Sequence, residues 1–176
     1  MLIGSAGFGQ KIHAACRLAT ITWLAEIATT HPNRLLVEHA FKHVVYDSAV
    51  ITPELVDSMY AIFQLSGVRR SFRRIIKSSL TLRGLKQEHL ARIEEALPSL
   101  TMPTLLIWGK QDNVVPAHHS SFALERMPNA HLELFDGCRH FPMLEHPDKF
   151  KQLVLDFLQT HSESASPKLQ VTASVA

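Results

Sequence analysis

The sequence contains little cysteine and no long apolar run. Two cysteines in 176 residues, Cys16 and Cys138, are too few for a disulfide scaffold or a four-cysteine zinc site. The most apolar stretch, residues 18–25, lies between Arg17 and Glu26 and is far shorter than the about 20 residues that a membrane-spanning helix needs. These absences exclude a disulfide-rich secreted module, and they predict a chain without a membrane span in a reducing, cytoplasmic compartment.

A strong charge of either sign is also missing. Lys and Arg total 18, Asp and Glu total 16, and the net charge is +2, so no global basic field favours nucleic acid. Hydrophobic residues make up 46% and charged residues 19% of the chain, which is typical of a globular domain and not of a disordered segment.

Basic residues are concentrated in one part of the chain. Seven of them occur with no acidic residue between them: Arg69, Arg70, Arg73, Arg74, Lys77, Arg83 and Lys86. A solvated helix face explains such a cluster most simply. Contact with an anionic membrane surface or an acidic partner is the alternative.

Residues 10–97 show mostly helical periodicity. A helix start is indicated by Thr52-Pro53-Glu54, which supplies a capping hydroxyl, a proline in the first turn and an acid at the positive end of the helix dipole. A further helical piece is predicted from Glu88 to Leu97. The other predicted buried faces comprise Val37, Ala40, Phe41, Val44 and Val45; Leu55, Met59, Ile62 and Phe63; and Phe72, Ile75, Ile76 and Leu80.

The pattern changes after Pro103. Residues 104–108 form a continuous apolar run, which is typical of a strand that is covered on both faces of a parallel sheet. A helix ending near Met127, a strand over residues 131–135 and a helix over residues 147–160 follow. This order predicts a doubly wound α/β unit.

Two loops of this unit carry side chains suited to acid–base chemistry. Asp112 follows the first strand and His140 follows the second, so parallel pairing would bring both to one edge of the sheet. A carboxylate that accepts a hydrogen bond from an imidazole fixes its tautomer, and the imidazole can then act as a base near neutral pH. Asp136 is an alternative acid, but it lies too close to His140 in sequence to bridge two strands.

The residues around both loops resemble the C-terminal half of an α/β-hydrolase-fold enzyme. The resemblance rests on PTLLIWGKQDNVVP, residues 103–116, and on FDGCRHFPMLEHPDKF, residues 135–150, in which Pro142, Glu145 and Pro147 follow the histidine. LIGSAGFG near the start resembles the family strand that leads into the lid. Arg139 is a departure, because the family often has glycine before the histidine, and it makes the shape of the local turn less certain.

The resemblance implies a partial α/β-hydrolase fold with a defined domain order. Residues 1–9 would be the end of a core strand and residues 10–100 a helical cap. Residues 101–161 would form the C-terminal part of the α/β core, and residues 162–176 a flexible tail.

The same resemblance implies functional roles. Asp112 would be the acid and His140 the base of a Ser-His-Asp triad that hydrolyses a small-molecule ester or a related acyl or C–C substrate. Phe8, Val115 and Phe141 flank the expected site and are candidates for lining the substrate pocket. No cofactor is implied.

Other candidate ligands and pocket residues have simpler explanations. Trp23 and Phe41 in the expected cap could face the pocket, but core packing is the favoured explanation. His39 and His43 lie four residues apart, as metal ligands on a helix do, yet no third ligand of suitable spacing accompanies them, so we expect no metal site.

The nucleophile of the family is not found in this sequence. The family places it in G-x-S-x-G, and neither Ser5 nor Ser66 has the required flanking glycines. We therefore expect that the front half of the fold is not part of this chain and that the chain alone is inactive. The alternative is a non-catalytic interaction protein or decayed hydrolase. In either case a dimer, or a complementing N-terminal segment, would be needed to cover the open sheet edge.

Overall fold

A computed structural model describes residues 1–21 and 33–162. Within these ranges the helices are α1 (Ala14–Leu18), α2 (Arg34–His43), α3 (Pro53–Gln64), α4 (Ser66–Ser79), α5 (Gln87–Ala96), α6 (His118–Arg126), α7 (Pro142–Glu145) and α8 (Pro147–Ser162). The strands are β1 (Leu2–Ile3), β2 (Leu80–Thr81), β3 (Gly84–Leu85), β4 (Thr104–Gly109) and β5 (Ala130–Phe135). Trp23 and the predicted tail from residue 163 onward lie outside the described residues.

Three strands form a parallel sheet with β4 in the centre. Leu106 of β4 lies opposite Leu2 of β1 on one side and opposite Leu132 of β5 on the other. Every residue of β4 is buried, which explains why its sequence is an unbroken apolar run. Because β4 and β5 run in the same direction, the loops that follow them leave the same edge of the sheet.

The two faces of β4 pack into separate clusters. Leu106 and Trp108 face the cluster that includes Ala123 and Met127 at α6, whereas Leu105 and Ile107 face the side covered by α8. Side chains alternate between the faces of a strand, so each helix covers every second residue. The result is a three-layer α/β arrangement.

The start of α3 confirms the capping prediction. Thr52 Oγ1 accepts a hydrogen bond from Leu55 N at 3.3 Å, and Pro53 occupies the first turn. The stripe predicted to begin at Val37 ends sooner than expected, because α2 stops at His43. Val45 lies beyond the helix, where it packs, fully buried, in a cluster with Ile51 and Val56.

The predicted buried faces of α3 and α4 were wrong at several positions. Ile62, Phe72 and Ile75 have 43%, 41% and 62% of their surface exposed, and Leu80 belongs to a strand instead of a helix. Leu80 pairs with Leu85 in an antiparallel hairpin. The apolar side of α4 borders an open cavity, which accounts for the exposure of its large side chains.

His119 on α6 is a buried titratable group. Only 1% of its surface is exposed, and Nδ1 has no hydrogen-bond partner among the described residues. Burial, together with repulsion from His118, lowers the pKa of His119 from 6.5 to about 4.

This burial predicts a pH-dependent stability. Above pH 6.5 the imidazole is neutral in both states, but between 6.5 and about 4 only the unfolded chain takes up the proton. We therefore expect the free energy of unfolding to fall by about 2 kcal/mol from pH 7 to pH 5 through this residue. Urea unfolding at both pH values should show a smaller fall for His119→Gln. The exposed control His131→Gln should behave as the wild type, and an equal fall in all three proteins would contradict the prediction.

Within residues 1–21 and 33–162, no helix is both long enough and apolar enough to cross a membrane.

Candidate functional site

Asp112 lies in the loop after β4 with all of its side chain buried. Oδ1 accepts hydrogen bonds from the backbone N–H groups of Val114, at 2.8 Å, and Val115, at 2.9 Å. Oδ2 lies 2.9 Å from Nδ1 of His140. The two backbone donors fix the orientation of the carboxylate. Oδ2 is therefore the oxygen that meets the imidazole.

His140 lies in the loop after β5, and the structure brings it to Asp112. Its backbone N–H donates to Val44 O at 3.1 Å, and 21% of its side chain is exposed. No hydrogen bond to Nε2 is found within the described ranges. When Nδ1–H donates to the carboxylate, Nε2 is left as a free acceptor on the open side of the ring. This is the arrangement that a general base requires.

Gly4 at the end of β1 lies directly against this pair. Its φ is +49°, and a Cβ on it would lie 3.1 Å from Nδ1 of His140 and 3.5 Å from Oδ2 of Asp112. Glycine is therefore favoured both by the backbone conformation and by the close approach of the imidazole.

The turn before the histidine differs from the expectation raised by Arg139. The left-handed residue of the loop is Gly137, with φ +61°, and within the described part of the chain every residue with positive φ is a glycine. Arg139 therefore fits the loop without backbone strain. Gly109 lets the backbone of Arg139 lie close to the end of β4, because a Cβ on Gly109 would lie 2.0 Å from Arg139 O.

Glu145 holds the loop that carries His140 by accepting hydrogen bonds from its backbone. Its carboxylate accepts hydrogen bonds from the backbone N–H groups of Arg139, at 3.0 Å, and Phe141, at 3.2 Å, which flank His140. It also accepts one from Tyr46 N at 2.5 Å. Sequence reasoning noticed Glu145 only as part of a resemblance and missed this role. The available signal was an acid placed five residues after the histidine, at the end of the short helix α7.

Loss of the Glu145 carboxylate should destabilise the protein. Glu145→Ala leaves several backbone N–H groups without their acceptor, and we expect the free energy of unfolding to fall by about 2 kcal/mol. Urea denaturation measures this change. Glu94→Ala, which removes an exposed partner of Arg126, should change stability by less than about 1 kcal/mol. Equal losses in the two variants would show that Glu145 does not hold the loop.

A cavity of about 660 Å³ adjoins His140. Its lining is mainly apolar and comes from the segment after β1, from α1, α4 and α5, from the β2–β3 hairpin and from the loop that carries Asp112. It includes Val115 and Cys16. Burial raises the pKa of the Cys16 thiol. The cavity therefore offers apolar space beside an imidazole.

The three predicted pocket residues lie in different surroundings. Val115 lines the same cavity as His140. Phe8 instead packs in the core, with its ring 6.2 Å from that of Trp108, and is not among the described residues that line this cavity. Phe141 packs on Phe41 at 6.1 Å, in the cluster beneath α2 and α3.

The remaining candidates do not converge on this site. The rings of His39 and His13 lie 6.4 Å and 5.3 Å from that of His43, but the described residues contain no group of three or more side chains placed to hold a metal ion. Burial and the neighbouring His43 lower the pKa of His13. Asp136 is exposed and bonds to Gln111 instead of His140.

A family comparison agrees with the fold described above. The model of the alpha/beta hydrolase fold family matches residues 22–147, more than half of the chain. The chain belongs to the alpha/beta hydrolase fold family. The expected fold class, a partial α/β-hydrolase fold with parallel strands and helices, is thereby confirmed.

Curated relatives of this chain are similar over different lengths. A 2-hydroxy-6-oxononadienedioate/2-hydroxy-6-oxononatrienedioate hydrolase of Pseudomonas sp is 48% identical over 68 residues, which are 39% of this chain and 24% of the relative. A 2-hydroxy-6-oxo-6-phenylhexa-2,4-dienoate hydrolase of Delftia acidovorans is 28% identical over 158 residues, 90% of this chain and 53% of the relative. The chain spans about half the length, or less, of these curated relatives.

A solved structure shows the same fold. The 2-hydroxy-6-oxo-6-phenylhexa-2,4-dienoate hydrolase from Rhodococcus sp. strain RHA1 superposes with a TM-score of 0.68 at 20% identity. The match covers 90% of this chain and 54% of the Rhodococcus chain.

Proposed function

We propose that this chain supplies the acid–base half of a hydrolase site. His140 is the general base and then the general acid, and Asp112 is the carboxylate that orients it. The observation that carries the proposal is the 2.9 Å contact between Asp112 Oδ2 and His140 Nδ1, with Nε2 left open beside an apolar cavity.

The proposed reaction is hydrolysis through an acyl intermediate. Nε2 of His140 takes the proton of a serine hydroxyl as its oxygen attacks the substrate carbonyl carbon, and the imidazolium then gives that proton to the leaving group. In the second half, His140 activates a water that releases the acid. The buried carboxylate of Asp112 stabilises the imidazolium in both halves.

The nucleophile in this proposal comes from residues outside the printed sequence. Neither serine weighed for the role fits the sequence pattern of the family nucleophile. Ser5 Oγ donates a hydrogen bond to Ile3 O at 3.4 Å. The helices between β1 and β4 would act as the cap over the cavity.

The favoured substrates are those of the relatives. Enzymes named for 2-hydroxy-6-oxo dienoates match 90% of this chain, which favours hydrolysis of a C–C bond next to a carbonyl.

Ester hydrolysis is the second candidate. In the described part of the chain no lysine or arginine lines the cavity, which favours an uncharged ester over a dianionic acid.

A chimera tests this function. The part of the Delftia acidovorans enzyme that this chain does not match would be joined to this chain, and the product assayed with 2-hydroxy-6-oxo-6-phenylhexa-2,4-dienoate and with a p-nitrophenyl ester. We expect turnover that falls at least about 10³-fold in His140→Gln, with KM little changed. The control His146→Gln, a histidine that bonds to Gly137 O, should retain activity.

The unfused chain provides the complementary test. It should show no turnover of either substrate. Robust hydrolysis by this chain alone, abolished in His140→Gln, would show that the chain contains its own nucleophile. It would contradict the proposal that the nucleophile comes from other residues.

A further inference from the structure

The loops of Asp112 and His140 are both tied to one short segment after α2. We call residues 43–46 the brace segment. The carbonyl oxygen of His43 accepts hydrogen bonds from Asn113 Nδ2 and from Arg139 Nη1, each at 2.9 Å. One of these donors directly follows the site carboxylate, and the other directly precedes the site histidine.

The other brace residues bind the histidine loop. Arg139 Nη1 also donates to Val45 O at 3.0 Å, so a single guanidinium nitrogen bridges two carbonyls. Val44 O accepts the backbone N–H of His140. All these contacts join groups that lie about 70 to 100 positions apart in sequence.

The other contacts between the two loops lie nearer the strand ends. Lys110 N donates to Phe135 O, and Gln111 N donates to Cys138 O. The Gln111 side chain also accepts a hydrogen bond from Cys138 N and donates one to Asp136, and Lys110 lies 3.8 Å from Asp136. Asp112 and His140 themselves meet directly, and the side chains next to them, Asn113 and Arg139, bind the brace segment. Loosening the brace would therefore loosen the geometry of the pair.

From this arrangement we infer that Arg139 and Asn113 are positioning residues, which hold His140 against Asp112 by anchoring both loops to the carbonyl of His43. The inference rests on the proposed function for its chemical meaning. It also makes the end of α2 part of the site, so a displacement of that helix would misalign the imidazole.

The tautomer of His140 tests the inference without any turnover. In ¹⁵N NMR spectra of the full chain at pH 8, the Asp112 bond places the proton of neutral His140 on Nδ1. Arg139→Lys keeps the charge but cannot reproduce the fork geometry, and Asn113→Ala removes one neutral donor. We expect each variant to lower the ratio of Nδ1–H to Nε2–H tautomer about threefold.

The double variant separates a shared brace from two independent contacts. Because both donors act on the same carbonyl, Arg139→Lys with Asn113→Ala should lower the ratio by less than the about ninefold product of the two single effects. The control Arg126→Lys, which alters an arginine held by Glu94 away from both loops, should leave the ratio unchanged.

Three results would overturn the inference. One is an unchanged tautomer ratio in both single variants, and another is a ratio that stays constant while the melting temperature falls. Asn113→Ala removes a single hydrogen bond and should fold. If Arg139→Lys does not fold, an unchanged tautomer ratio in Asn113→Ala is therefore the third result that overturns the inference. A wild-type His140 with its proton on Nε2 would instead contradict the proposed function.

Discussion

Asp112→Asn is expected to lower kcat of the chimeric hydrolase about 10⁴-fold while the protein stays folded. The asparagine oxygen can still accept from the backbone N–H groups of Val114 and Val115, so the loop keeps its shape. Its amide then faces His140 with a donor, which makes Nδ1 an acceptor and moves the proton to Nε2. In that tautomer the imidazole cannot accept a proton from the nucleophile.

The control for this variant is Asp136→Asn. Asp136 was the alternative acid in the sequence, but it is exposed, and its bonds to Gln111 and Lys110 hold its pKa below the usual range. Steady-state kinetics should show nearly wild-type kcat for Asp136→Asn. Comparable losses in the two variants would mean that Asp112 has no special role.

Gly109→Ala is expected to destabilise the protein by about 3 kcal/mol. A Cβ at this position would lie 2.0 Å from Arg139 O and 2.4 Å from Cys138 O, and both are backbone atoms that cannot rotate away. The loop that carries His140 would have to move off the end of β4. Denaturant unfolding measures the loss.

Gly67→Ala is the matched control. Gly67 lies near the start of α4, and a Cβ there would have no neighbour within 4 Å. Alanine also has the better helix propensity, so this variant should be neutral or slightly stabilised. If Gly109→Ala proved as stable as Gly67→Ala, Gly109 could not lie in close contact with the loop that carries His140.

The sheet could be predicted because burial on both faces leaves a plain signal. Residues 105–108 are apolar without interruption, and the strand extends over Thr104–Gly109. The helix predicted over residues 147–160 likewise extends over Pro147–Ser162. In both elements, local periodicity and tertiary packing favour the same structure.

The hairpin of β2 and β3 could not be predicted in this way. Each strand has two residues, too few for any period, and Leu80 continues the helical spacing of Ile76. Tertiary contacts decide its structure: Leu85 N donates to Gln10 O, and Gly84, with φ +119°, passes so close to that carbonyl that a side chain would clash.

The candidate site was also predictable only in part. The proximity of Asp112 and His140 followed from parallel strands that each end in a polar loop. The contacts that hold the loops did not follow, because Arg139 meets His43, and Glu145 meets Tyr46, across more than 90 residues of sequence. No local sequence pattern predicts contacts between residues so far apart. The catalytic roles of Asp112 and His140 stay predictions.

The proton of His140 provides the most direct test of the account. In ¹⁵N-labelled protein at pH 8, we predict a neutral imidazole with hydrogen on Nδ1 and a bare Nε2, and a reversal of this pattern in Asp112→Asn. A wild-type spectrum with the hydrogen on Nε2, unaltered by Asp112→Asn, would contradict the claim that this carboxylate prepares His140 to act as a base.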